Sequence, residues 1–165
     1  MAEAATGKRS NKAHSAHKPK VLFFSTGDAV RSQMAEGIFR RMTGEDLEGA
    51  CTAVRAESNP LAAEVMREIG IDVSEDQPKE NKELFHEHFA CVITLSDPKK
   101  ERDPVWPFTR NLFHWKLEDP LEGKRSAEEK KEALRHVRDE IAENVKEFAS
   151  SVAPKLKARA ASGGR

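Results

Sequence analysis

Two rhythms of apolar residues run along this chain. Short unbroken runs mark strands, and positions recurring every three or four residues mark helices. The run "KVLFF" at 20–24 ends at a polar, glycine-containing loop, the pattern of a central strand buried on both faces. "CTAVRAE" (51–57), "FACVITLS" (89–96) and "RNLFHWKL" (110–117) supply three further strands. After Arg31, the residues Met34, Ile38, Phe39 and Met42 keep helical spacing as far as Gly44, which predicts a helix ending at its C-cap. Asn59 followed by Pro60 opens a second helix, with Leu61, Val65, Met66 and Ile69 facing inward and Gly70 closing it. The strongest period lies in 126–150, where Leu134, Val137, Ile141, Val145 and Phe148 form one apolar stripe. Residues 1–19 have no such period and are expected to form a disordered arm, with 151–165 a flexible tail, leaving 20–150 as one domain.

Strands that alternate with helices predict a three-layer α/β/α fold around a four-stranded parallel sheet. Ligands of such sheets sit at the carboxyl ends of the strands, and the loop after "KVLFF" lies at that edge.

Composition narrows the class. A chain of 165 residues, 38% hydrophobic and 34% charged, can bury one modest core. Lys plus Arg and Asp plus Glu both total 28, and that balance argues against a nucleic-acid partner, which calls for a basic excess on one face. Apolar runs of about five residues fall far short of the roughly 20 that cross a bilayer, so no membrane partner is expected. The first 20 residues lack the apolar core of a secretory leader, so a cytoplasmic monomer is the expectation. Cys51 and Cys91 match no metal-ligand spacing, and no metal or cofactor is expected. Cys91, inside "FACVITL", reads as a buried inert thiol, whereas Cys51 fits either an exposed or a packed position. The two could form a redox pair only if the fold brought them together.

The stretch "STGDAVRS", residues 25–32, carries the candidate chemistry. Ser25 and Arg31 are separated by five residues, enough for successive backbone N–H groups to converge on one anion. The helix that follows adds its N-terminal partial positive charge. Gly27 is expected to adopt backbone angles that other residues resist. Arg31 can return as a two-pronged donor to two oxygens, and Ser32 offers a hydroxyl in the first turn. The candidate oxyanion set is Ser25, Thr26, Gly27, Asp28, Ala29, Val30, Arg31 and Ser32. The same spacing also fits an ordinary strand–helix turn with a capping serine and a surface arginine.

With "VLFF" before it, "TGDAVRSQMAEG" resembles the phosphate loop of arsenate reductases in the low-molecular-weight protein tyrosine phosphatase superfamily. "LAAEVMREIGIDVS", "FACVITLSD", "PVWPF", "LFHWKLEDP" and "VRDEIAENVKEF" resemble later elements of that family in their expected order. The resemblance runs from about Lys20 to Phe148 and implies a tetrahedral oxyanion, arsenate or phosphate, as ligand. Where the family has a nucleophilic cysteine, this chain has Ser25, and the positions of two further redox cysteines match Ser96 and Asp103. Asp28 replaces the family's usual asparagine, and a carboxylate there either pairs with Arg31 or caps the helix. Asp119, in Asp119–Pro120, matches the family's acid, although an Asp-Pro step is also a common turn.

A thiol of pKa about 8.5 needs only a modest push, on the order of 4–5 kcal/mol, to ionise at neutral pH. A hydroxyl starting near 15.7 needs about 12 kcal/mol, more than a helix end and one arginine deliver. Serine enzymes solve this with a histidine base, yet no motif ties His86, His88, His114 or His136 to the loop, and His114 reads as structural. Ser25 occupies the nucleophile's place without its reactivity, while Arg31 and Asp119 complete the candidate catalytic set. Three readings follow. In the first, an arsenate reductase-like protein binds arsenate and relies on an external small thiol such as glutathione or mycothiol. In the second, the protein is an inactive oxyanion-binding or interaction module. The third, a conventional tyrosine phosphatase, comes last because it requires the thiolate.

Overall fold

The computed structural model describes residues 18–162, apart from 56, 58, 75–77, 79–80, 85–86, 103–108 and 110. In chain order the elements are β1 (Lys20–Asp28), α1 (Val30–Thr43), β2 (Glu48–Arg55), α2 (Pro60–Arg67), α3 (Asn81–Leu84), β3 (Cys91–Ser96), β4 (Leu112–Lys116), α4 (Ala127–Ser151) and α5 (Ala153–Ala161). The four strands form one parallel sheet in the order β2-β1-β3-β4.

The two-residue period of the central strands assigns the faces. Val21 and Phe23 of β1 and Cys91, Ile93 and Leu95 of β3 enter the larger core, with Met34, Ile38, Phe39, Leu134, Val137, Ile141 and Phe148 of the helices. Leu22 and Val92 point to the opposite face, where Ala50, Leu84 and Phe89 pack on them. Phe23 meets Phe39 edge-on at 5.3 Å between ring centroids, and Phe39 lies 6.0 Å from Phe148, so β1, α1 and α4 share one aromatic contact line. Removing each such side chain from water stabilises the fold by ~1.5–3 kcal/mol.

The helix ends follow from their sequences. Gly44 takes φ 60° and its N–H donates to Arg40 O at 3.1 Å, which stops α1. Asn59 Oδ1 accepts from Leu61 N–H ahead of Pro60, and Ser126 Oγ accepts from Glu129 N–H to start α4.

Several expectations change. The segment after α4 is helical over Ala153–Ala161, with Ala153 and Leu156 buried, and so is not a frayed tail. Two apolar positions amid Lys and Arg gave too short a period to read. Met42 and Ile69, expected inside, are 44% and 36% exposed, and Ile69 lies in the turn beyond the last residue of α2. The arm 1–17 lies outside the described residues. Cys51 is packed, and both cysteines are buried thiols outside any disulfide among the described residues. They stand on β2 and β3, on either side of β1, opposite Phe23 and Val21 respectively. Two strand spacings and two residues of offset put them about 11–12 Å apart, beyond the ~7 Å reach of a disulfide. Burial pushes the Cys91 thiol up to about 12, which makes it inert. Among the described residues no helix is long and apolar enough to cross a membrane.

Candidate functional site

The strand order changes direction between β1 and β3, because the chain runs from β1 outward to β2 and then back past β1. Loops after strands flanking such a point diverge and leave a crevice at the carboxyl edge. Here those segments are the last residues of β1 with Ala29, 25–29, and the loop 97–102 after β3. Ser25 still pairs with Ala53 and Leu95, and the β1–β2 register then breaks before Asp28 as the chain turns into α1.

Within the first loop, Ser25 is fully buried and its Oγ accepts from Ser32 N–H at 2.8 Å. The Ser32 hydroxyl in turn donates to Ala29 O at 3.1 Å. Asp28 Oδ1 accepts from Val30 N–H at 3.1 Å in an Asx turn one residue ahead of the N-cap, Ala29, so the carboxylate takes the first amide of α1, the nearer of its two expected roles. Burial raises the Asp28 carboxyl, an effect offset in part by the Val30 amide and reinforced by Asp119. Ala29 N–H donates to Glu57 O at 3.0 Å. The amides of Ala29, Val30 and Ser32, expected to point at one anion, therefore already have acceptors. The Asp28 carboxylate and the Ser25 hydroxyl take two of them. Gly27 departs from expectation as well, since its φ is not positive. Space explains the glycine: a Cβ there would lie 3.0 Å from Glu101 Oε2 and 3.1 Å from Arg31 Nη2.

Arg31 is completely buried. Its Nη1 donates to Glu101 Oε1 at 3.0 Å and to Leu117 O at 3.2 Å, and its Nη2 donates to Glu101 Oε2 at 3.2 Å. Thr26 Oγ1 donates to the same Oε2 at 2.7 Å, and Asp97 N–H donates to Oε1 at 2.8 Å. The Glu101 carboxylate thus receives four hydrogen bonds over the loop, in the two-pronged geometry an oxyanion would take from a guanidinium. Burial raises Glu101, but Arg31, Thr26 and the Asp97 amide outweigh it and hold the carboxyl below the usual range. Among the described residues, Arg31 Nε has no partner.

Asp119 is brought to this site. With Thr26, Gly27, Lys100 and Glu101 it lines an open pocket of about 440 Å³. Lys100 Nζ donates to Asp119 Oδ2 at 2.6 Å, Leu121 N–H donates to Oδ1 at 3.0 Å, and Asp119 N–H donates to Asp97 Oδ2 at 3.0 Å. Against the upward pull of burial, Lys100 and the Leu121 amide hold Asp119 below the usual carboxylate range, so it is ionised at neutral pH. In this arrangement it suits an electrostatic role better than proton donation.

Ser96 is buried at the end of β3, one position beyond the Ser25–Leu95 pairing. Asp103, "PVWPF" and His86 lie outside the described residues. His88 is exposed at the opposite edge of the sheet, His136 pairs with Glu140 on α4, and His114 on β4 bonds Thr94 Oγ1 two strands from β1. None of these three stands beside Ser25. Glu101, Lys100 and Asp97 escaped the sequence reading because "SDPKKER" has the look of a solvated charge run. The hint was its position directly after a central strand.

The profile of the family described as low molecular weight phosphotyrosine protein phosphatase matches residues 20–158. This chain belongs to that family. It is 33% identical to an arsenate reductase of Halalkalibacterium halodurans over 136 residues, which are 82% of this chain and 98% of the relative. An arsenate reductase of Bacillus licheniformis is 35% identical over 136 residues, 81% of this chain and 97% of its own. Among solved structures, an arsenate reductase in the phosphate binding state superimposes with a TM-score of 0.68 at 25% identity, covering 81% of this chain and 98% of that one.

Proposed function

We propose that the loop 25–32 and Arg31 bind a tetrahedral oxyanion, arsenate or phosphate, and that any arsenate reduction takes its electrons from an external small thiol. The observation that carries this reading is Arg31, a wholly buried guanidinium behind the Thr26–Gly27 wall of the crevice, whose Nε has no partner among the described residues. Glu101 already meets that charge from within the chain, in the two-pronged geometry an external oxyanion would take. Relatives named arsenate reductase supply the ligand class.

Ser25 supplies no electrons, and its hydroxyl has no neighbouring base among the described histidines. In the reduction, two thiols such as glutathione or mycothiol lose two electrons to become one disulfide. Arsenic(V) accepts them to become arsenic(III), and one arsenate oxygen leaves as water. The protein's part is to hold and neutralise the anion. The second reading, a binding module without turnover, is favoured by Glu101, which already takes the guanidinium's donors. Tyrosine phosphatase activity, which the family's description names, needs an ionised nucleophile that Ser25 does not provide.

Calorimetric titration with phosphate and arsenate, and arsenite formation across a panel of thiols, test these readings. Arg31-dependent binding is expected, and it is lost in Arg31→Ala. Arsenite production with at least one thiol selects the reductase, and binding without arsenite selects the module. Anion binding that survives Arg31→Ala would defeat both.

A further inference from the structure

We infer that Glu101 is a built-in ligand of the oxyanion loop, whose displacement sets how tightly an external anion binds. The inference rests on the oxyanion reading above and adds a residue that governs affinity at that site.

Three observations converge. Glu101 lies 70 residues from Arg31 in sequence, yet its carboxylate faces both Nη groups of that arginine at 3.0 and 3.2 Å. Thr26, within the loop, turns its hydroxyl to the same carboxylate at 2.7 Å, in preference to Leu95 O at 3.4 Å. Gly27 leaves the space: a Cβ would crowd Glu101 Oε2 and Arg31 Nη2 together. A guanidinium, a hydroxyl and a glycine gap thus converge on one carboxylate, as they would on one edge of a tetrahedral anion.

The seat is occupied but not saturated. Glu101 takes Arg31 end-on and leaves Nε without a partner among the described residues. A phosphate or arsenate dianion carries twice the charge of a carboxylate and has more oxygens, one of which can accept from Nε. The dianion and the Glu101 carboxylate cannot share the donors, and like charges that close repel. Binding must therefore move Glu101 away. The free pocket beside it, bordered by Lys100 and Arg102, offers a place for the displaced side chain. Apparent affinity is reduced by the fraction of molecules in which Glu101 holds the seat.

The test is titration of inorganic phosphate into the full-length chain, Glu101→Gln and Glu101→Ala. Phosphate is expected to bind roughly tenfold tighter to Glu101→Ala than to the native chain, with Glu101→Gln between them. The gain should vanish when Arg31→Ala is added. A native affinity that depends on Arg31 but is equal to or tighter than that of Glu101→Ala overturns the inference and leaves the oxyanion reading standing. No binding by any of the three overturns both. If the variants fold poorly, carbon-13 spectra of the native Glu101 carboxyl during phosphate titration decide the matter. Its signal should move to that of a solvated carboxylate, and a signal unmoved while phosphate binds at Arg31 overturns the inference.

Discussion

Two arginine–glutamate clusters hold this molecule together, and they do opposite work. In one, Arg31 and Glu101 meet with side-chain exposures of 0% and 10%. In the other, Glu68 at the end of α2 receives Arg135 and Arg138 from α4, with Glu68 at 41% and Arg135 at 32%. Arg135 also pairs with Glu132 on its own helix, and Arg138 reaches past the pair to Val65 O at 2.8 Å. The outer cluster fastens α2 to α4, and water can replace Glu68 or Arg135, while the more buried Arg138 has Val65 O and Asp139 as further partners. The inner cluster has no such reserve, because Arg31 depends on Glu101 and one carbonyl. The same chemistry acts as a clasp on the surface and as a buried, two-pronged ion pair inside.

The largest expected effect breaks the inner pair. Arg31→Ala removes the guanidinium and leaves Glu101 in a poorly hydrated place with only Thr26 and the Asp97 amide. Loss of one partner of a buried ion pair costs roughly 3–5 kcal/mol, and the two remaining donors place this case near the lower end, about 3 kcal/mol. Urea denaturation at neutral pH measures it. A cost of a few tenths of a kcal/mol would show the two clusters to be energetically alike.

Acid should act next, through the inner site. Glu101, Asp97 and Asp119 are all held below their ordinary values by hydrogen bonds that outweigh burial. Their stabilisation is complete above the ordinary glutamate value of 4.5 and is lost as pH falls through their folded values. Asp28, raised by burial, has the opposite sign and offsets part of that loss. Urea midpoints should therefore fall as pH drops from 5 toward 3, and less steeply in Glu101→Gln. An unchanged slope in that variant would remove Glu101 from the account.

The contrast between the clusters also explains what the sequence disclosed. Val21, Phe23, Met34, Phe39 and Phe148 carry their own period, so the sheet, α1 and α4 were legible. Ser25 and Arg31 were legible because their spacing sits within one strand–loop–helix unit. Glu101 was not, since its role arises only when the strand order places the loop after β3 against the loop after β1. A glutamate among lysines has the same local signature whether it faces water or a buried guanidinium. Asp28 shows the complementary case: its position was legible, but the choice between pairing and capping depended on geometry. The helix over Ala153–Ala161 was missed for a simpler reason, because its buried side is only Ala153 and Leu156.

The smallest expected effect lies in the outer cluster and is the sharpest check on the comparison. Hydrogen bonds from Arg135 first, and then Arg138, draw the Glu68 carboxyl down to about 2, which on its face rivals anything at the inner site. Exposure argues otherwise. Solvent and salt screen charges at the surface, Arg135 recovers water when its partner is removed, and the more buried Arg138 keeps Val65 O and Asp139. Glu68→Gln should therefore shift the urea midpoint no more than an ordinary surface substitution does, and the shift should shrink further in high salt. Arg138 keeps its bond to Val65 O in that variant, so α2 stays docked on α4. A loss comparable to that of Arg31→Ala, or one that persists in high salt, would mean that the α2–α4 clasp contributes as much stability as the inner pair. Exposure would then fail to separate a surface ion pair from a buried one in this fold.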